Sequence, residues 1–212
     1  MQRVTELAIL KAADGVFTRT EVAFWVDSEG ARLDALLKRA INAGEVLHIR
    51  RGLFCLADKY LRRRIHSFAL AQRVYGPSYV SLESALMYHN WIPEAVYAIT
   101  SVSSARSRTF DTPIGLYSFT RVPQRAVMVG VRREALEGNG CFLLAEPLKA
   151  LADYVYVHSC DWQGAAPVVG SLRVDEADLA TLTTEPFERL GSVYRSGRVN
   201  RFLAGLRKDL GL

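Results

Sequence analysis

Long apolar runs are missing from this chain of 212 residues. No stretch approaches the ~20 apolar residues that cross a bilayer, so no membrane span is expected and the cytoplasm is the default address. Cysteine is scarce: Cys55, Cys141 and Cys160 stand far apart, with no CxxC pair. Three scattered thiols make neither a disulfide framework nor a zinc knuckle, and they point to a reducing compartment. The four histidines, His48, His66, His89 and His158, include no HExxH and no i,i+4 pair, so no metal site is expected. GxGxxG, GxxxxGK[ST] and GxSxG are absent. That removes the fingerprints of dinucleotide binding, P-loop phosphate binding and the α/β-hydrolase nucleophile. No cofactor and no catalytic residue is read from the sequence.

What is present is an apolar half of the residues, enough for a sizeable core, in a length that fits one large domain or two small ones. The formal charge is +5, from 27 basic and 22 acidic residues. Residues 1–64 hold 12 Lys/Arg against 8 Asp/Glu, a net +4, and the remaining 148 residues hold 15 against 14, a net +1. The basic excess is concentrated at one end, as expected of a chain that meets a polyanion there.

Helical periodicity opens the chain over residues 4–13, with Val4, Leu7 and Ala8 on one face, and Asp14-Gly15 ends it. Thr18 or Thr20 caps a short second helix containing Val22 and Trp25. Ser28 is placed as the N-cap of a third, which runs to Asn42 and stops at Ala43-Gly44. Leu33, Leu36, Leu37, Ala40 and Ile41 share one face of that helix, and Arg32, Ala35, Lys38, Arg39 and Asn42 share the other. Val46 to Leu56 reads as a hairpin turning at Arg51-Gly52. Three short helices and a hairpin predict a winged helix-turn-helix over residues 1–58. A helical connector over 59–75, carrying Arg62-Arg63-Arg64, and a larger α+β domain over 76–212 follow. In that domain helices are expected over 81–89, 146–156 and 199–210, and strands over 96–101, 114–122 and 126–131, the last an apolar run.

The DNA-binding candidates follow from this layout. Arg32, Lys38, Arg39 and Asn42 lie on the exposed face of a recognition helix, and His48, Arg50 and Arg51 lie in the wing. There cations meet phosphates or base edges in double-stranded operator DNA. The same basic face also suits a protein-contact module. Arg106 and Arg108 lie in a hydroxyl-rich run, Thr100 to Thr109. Arg198 and Arg201 sit on a basic amphipathic helix. These four are candidates for contact with an acidic partner. Glu146, Lys149 and Asp153, at i, i+3, i+7, have the residue types of a metal-dependent nuclease. Their place on one helical face favours intrahelical charge pairing, with Leu148, Ala152 and Tyr156 packed beneath.

Four segments, in order, resemble the AbiEi family of antitoxins. Ile49-Arg50-Arg51-Gly52-Leu53-Phe54 is similar to the family's RGxY wing. Tyr79 to Leu86, with Trp91-Ile92-Pro93-Glu94, and the run Arg106 to Phe119 resemble its next blocks. Pro147-Leu148-Lys149-Ala150-Leu151-Ala152-Asp153 resembles its PEKALxD helix. Leu148 stands where the family has glutamate, and Phe54 where it has tyrosine. The resemblance spans residues 5–160. It implies a bacterial toxin–antitoxin operon and phage defence, with promoter repression by the N-terminal domain and antagonism of a nucleotidyltransferase-like toxin by the larger one. A transcriptional regulator with a ligand-sensing C-terminal domain is the alternative.

Overall fold

The structure, a computed structural model, describes residues 1–93, 96–136 and 140–212. It is an α+β fold with two sheets and two hydrophobic cores.

The first core belongs to α1 (Arg3–Lys11), β1 (Val16–Thr18), α2 (Arg19–Val26), α3 (Gly30–Asn42), β2 (Val46–Arg50) and β3 (Leu53–Leu56). The three strands form an antiparallel sheet in the order β1-β3-β2. Val4, Ala8, Val22, Leu33, Leu37 and Ala40 from the three helices close over Phe17, Val46, Phe54 and Leu56. Thr18 caps α2 in a full capping box with Glu21, which fixes where strand turns into helix. Asp27 ends α2 in the left-handed conformation, so only a short turn separates α2 from α3. The N-cap of α3 is Glu29, one residue beyond the expected Ser28. Its C-terminus closes in a Schellman motif: the Glu45 N–H donates to Ala40 O and the Gly44 N–H to Ile41 O, with Gly44 at φ 63.

The expected connector helix divides. Asp58–Tyr60 is a single 3-10 turn, residues 61–66 are irregular, and α4 (Ser67–Val74) begins only after the arginine triplet. Arg62, Arg63 and Arg64 therefore sit on an exposed loop instead of on a helix. Three consecutive arginines leave no apolar stripe on which a helix there would pack. By contrast α4 buries Phe68, Leu70, Ala71 and Val74 in the second core.

The second sheet is built from β4 (Ser78–Val80), β5 (Ala98–Ser103), β6 (Arg108–Thr112), β7 (Gly115–Arg121), β8 (Val131–Leu136) and β9 (Gly140–Ala145). They run in the order β6-β7-β5-β4-β9-β8. β4 pairs antiparallel with β5 and parallel with β9, and β5 pairs parallel with β7, so the sheet is mixed. All three residues of β4 are buried, so both faces of the sheet's centre are covered. α5 (Leu82–Tyr88) packs with α6 (Pro147–Val157), and α7 (Ala166–Leu172), α8 (Glu176–Leu179), α9 (Thr184–Leu190) and α10 (Gly197–Asp209) complete the chain.

The strand expected at 126–131 is not formed. Residues 126–130 turn, with Gly130 at φ 72, and β8 starts only at Val131. Val127 and Val129 pack on the core from this turn while Met128 is exposed, so the apolar run is half-buried loop and not central strand. Among the described residues no helix is long and apolar enough to cross a membrane.

The two cores touch. Val16, Ile49, Leu53 and Cys55 of the first sheet belong to the larger core, so the hairpin is packed between the two units.

Candidate nucleic-acid interface

The inward face of α3 is fixed by Leu33, Leu37 and Ala40, all buried. At 3.6 residues per turn this turns Arg32, Ala35, Arg39 and Asn42 outward along one stripe, with Lys38 beside it. All five are exposed. Arg39 Nε donates to its own helix at Ala35 O, 3.3 Å away, and among the described residues Arg32, Lys38 and Arg39 form no ion pair. Asp34, the nearest carboxylate in sequence, is taken up by Arg19, whose Nε and Nη2 both reach its Oδ1 at 3.0 and 2.9 Å. The helix thus presents three uncompensated cations while its single acid is neutralised by α2.

The wing residues separate. The turn Arg51-Gly52 is as expected, with Gly52 at φ 77, and its Gly52 carbonyl accepts from the Arg19 N–H at 3.0 Å. Arg51 is exposed and His48 lies against Phe54 with its ring exposed, 5.2 Å between centroids. Arg50 behaves differently. Its guanidinium donates to Arg51 O at 3.0 Å and to Arg73 O at 3.2 Å, and its Nε is buried without a partner. Arg50 therefore ties the hairpin to α4, and its charge is spent on carbonyls of this chain. Arg73 in turn pairs with Asp14 at 2.8 Å and approaches Glu21 at 3.9 Å.

The partner candidates fall on two elements. Arg106, in the loop before the edge strand β6, and Arg108, the strand's first residue, are both exposed, and Tyr75 touches both: its hydroxyl donates to Arg106 O at 3.0 Å and its ring lies 5.8 Å from the Arg108 guanidinium. Arg198 and Arg201 lie on α10 and line a cleft with Asp161, Trp162 and Gln163. Glu94, from the second resembling block, lies outside the described residues.

The carboxylate–lysine set of α6 departs most from expectation. Glu146 is the N-cap residue and binds Arg189 at 2.7 Å. Lys149 and Asp153 are completely buried, and their charges offset each other inside the core, joined through Gln124 and not by a direct ion pair. Asp153 accepts hydrogen bonds from Tyr79 and Ser81 hydroxyls, both at 2.8 Å, from Tyr194 at 2.7 Å and from Gln124 Nε2 at 3.0 Å. The Lys149 ammonium donates to Gln124 Oε1 and sits over the rings of Tyr194 and Tyr79, at 4.9 and 5.4 Å. Gln124 thereby joins ammonium to carboxylate. Burial pushes the lysine below its usual range, opposed by the Asp153 charge, and pushes the aspartate up, opposed by Lys149 and the hydroxyls. Tyr79, Ser81, Gln124 and Tyr194 come from three separate parts of the chain, and no local spacing pointed to them.

Among the described residues no three His, Cys, Asp or Glu side chains converge as a metal site would require. Compared with known proteins, the chain matches no family model and no curated protein.

Proposed function

We propose that residues 1–58 form a winged helix-turn-helix that binds duplex DNA through α3. The observation that carries this is the chain order helix–strand–helix–helix–strand–strand with the sheet order β1-β3-β2, combined with exposed Arg32, Lys38 and Arg39 on the third helix, which form no ion pair among the described residues. Asn42 at the end of the same stripe, and His48 and Arg51 in the hairpin, are secondary contacts. Arg50 acts by holding the hairpin against α4. The chain then works in the cytoplasm as a repressor of its own promoter. The resemblance to AbiEi antitoxins supports residues 76–212 as the part that counters a nucleotidyltransferase-like toxin, with Arg106 and Arg108 facing it. Lys149 and Asp153 have a structural role in this reading, closed off from any substrate, and no catalytic step is assigned.

The experiment is competition between the DNA upstream of the chain's own gene and a scrambled duplex. If Arg32 or Arg39 reads a guanine, its loss costs about 1–3 kcal/mol on the upstream DNA and less on the scrambled one. Equal losses on both would reduce these residues to phosphate contacts, and absence of any duplex binding would refute the reading. The antitoxin half is tested by growth rescue: full-length chain co-expressed with the neighbouring gene restores growth, and failure to do so removes the antitoxin role.

A further inference from the structure

The second sheet carries cations on the side where the hairpin lies. Arg108 on the edge strand β6 stands in register with Phe119 of β7. Side chains alternate along a strand, so Arg121, two residues past Phe119, shares that face of the sheet. Arg108 and Arg121 are therefore diagonal neighbours, about 7–8 Å apart at the backbone. The same face packs on the end of α4, with the Phe119 ring edge-on to Tyr75 at 5.3 Å between centroids, and β6 lies beside β2. A row of contacts leads from there to α3. Tyr75 is two residues beyond Arg73, whose carbonyl receives the Arg50 guanidinium at 3.2 Å, and Arg50 adjoins the turn Arg51-Gly52. The Gly52 carbonyl accepts from the Arg19 N–H at 3.0 Å, and the Arg19 side chain reaches Asp34 on α3. The start of β6 thus stands at the turn end of the hairpin. Arg51, Arg106, Arg108 and Arg121 are all exposed and form no ion pair among the described residues. The acids along the row are taken up, Asp34 by Arg19 and Asp14 and Glu21 by Arg73, and Asp111 of β6 falls on the opposite face from Arg108.

We propose that Arg106, Arg108 and Arg121 hold the phosphate backbone of duplex DNA beside the wing, so that the footprint runs past the winged helix onto the second sheet. This rests on the reading that α3 binds DNA: a duplex in contact with α3 and with Arg51 at the turn continues past the start of β6. Duplex DNA carries one negative charge per ~1.7 Å of axis, so separately placed arginines each find a phosphate without converging on one. Such contacts add affinity and fix orientation, and they carry no base information. In the DNA-bound chain Arg106 and Arg108 are occupied by phosphate, and their contact with an acidic partner belongs to the DNA-free chain.

The test is titration of the full-length chain with the DNA upstream of its own gene and with a scrambled duplex, each at several salt concentrations. R106A/R108A/R121A is expected to weaken binding about tenfold or more on both duplexes alike, and to flatten the slope of log affinity against log salt by up to about 2.7. Single R121A, which serves if the triple variant does not fold, flattens it by up to about 0.9. R132A/R133A, on β8 at the opposite edge of the same sheet, leaves affinity and slope unchanged, which separates contact from lost net charge. Circular dichroism checks that each variant folds. If the unaltered chain binds neither duplex, DNA binding by α3 falls and the second-sheet contact with it. If R32A/K38A/R39A weakens binding while folded R106A/R108A/R121A keeps both affinity and slope, the second-sheet contact alone is overturned, and an acidic protein is left as the occupant of these arginines. Equal losses in R106A/R108A/R121A and R132A/R133A overturn it too.

Discussion

Helices α3 and α6 both carry cations and carboxylates at helical spacing, and the fold turns them in opposite directions. On α3 the apolar stripe of Leu33, Leu37 and Ala40 goes inward and Arg32, Lys38 and Arg39 go to solvent. On α6 the charged pair itself goes inward, with Leu148, Ala150, Leu151, Ala152 and Val155 also buried, so that helix is covered nearly all round. The surroundings decide which arrangement holds. α3 packs one face on a small core, while α6 is enclosed by α5, α9, α10 and the sheet. Exposed cations cost little to fold around and remain available to a polyanion. Buried ones demand partners, and Lys149 on α6 finds a glutamine that leads to the Asp153 carboxylate and two aromatic faces.

The largest effect that would break this contrast is at Asp153. Replacing it by Ala strands the Lys149 ammonium and leaves Tyr79, Ser81 and Tyr194 without their acceptor. The expected loss is about 3–5 kcal/mol in urea unfolding. Arg32→Ala on α3 is expected to change stability by no more than about 0.5 kcal/mol. Comparable values for the two would remove the distinction between an exposed and a buried charge set.

Within the hairpin the same contrast recurs on a smaller scale between neighbours. Arg50→Ala removes donors from the Arg51 and Arg73 carbonyls and is expected to cost about 1–3 kcal/mol, whereas Arg51→Ala leaves stability within about 0.5 kcal/mol. Denaturation midpoints of the two variants check this, and the reverse order would mean that Arg51 is the residue that docks the hairpin.

The smallest effect concerns His89, whose Nε2 meets Ala145 O at 2.9 Å and whose burial holds it below its ordinary value of 6.5. A histidine kept neutral by burial binds fewer protons folded than unfolded. Its contribution is complete above 6.5 and is lost as pH falls through 6.5 toward the depressed folded value. His66 shifts in the same direction, from burial. Stability should therefore decline between neutral pH and pH 5, and His89→Gln should make that decline shallower. An identical pH profile in the variant would take His89 out of the account.

How much was legible depends on how local the determining forces are. The amphipathic period of α3, the hairpin turn at Gly52 and helices α5, α6 and α10 follow from spacing and end signals inside each segment. β1, at three residues, is too short for any period to show, and α7 to α9 are short helices that bury only Val168, Leu172, Leu179, Phe187 and Leu190 in the larger core. The run 126–131 misled because continuous apolarity marks burial and not conformation; Gly130 at φ 72 decides for a turn. At the candidate site the exposed cations of α3 were readable from one helix. The inward turn of Arg50 was not, because its acceptor lies 23 residues away on α4. The environment of Asp153 was still less so, with donors 74, 72 and 41 residues distant.

The central claim is that α3 meets DNA with cations that form no ion pair among the described residues, and the salt dependence of duplex binding tests it most directly. Each phosphate contact contributes about −0.9 to the slope of log affinity against log salt. The full-length chain and its R32A/K38A/R39A variant are titrated with one duplex at several salt concentrations. The account predicts weaker binding by the variant and a slope flatter by up to about 2.7, with its urea unfolding unchanged. A folded variant that binds with the same affinity and the same slope would contradict it.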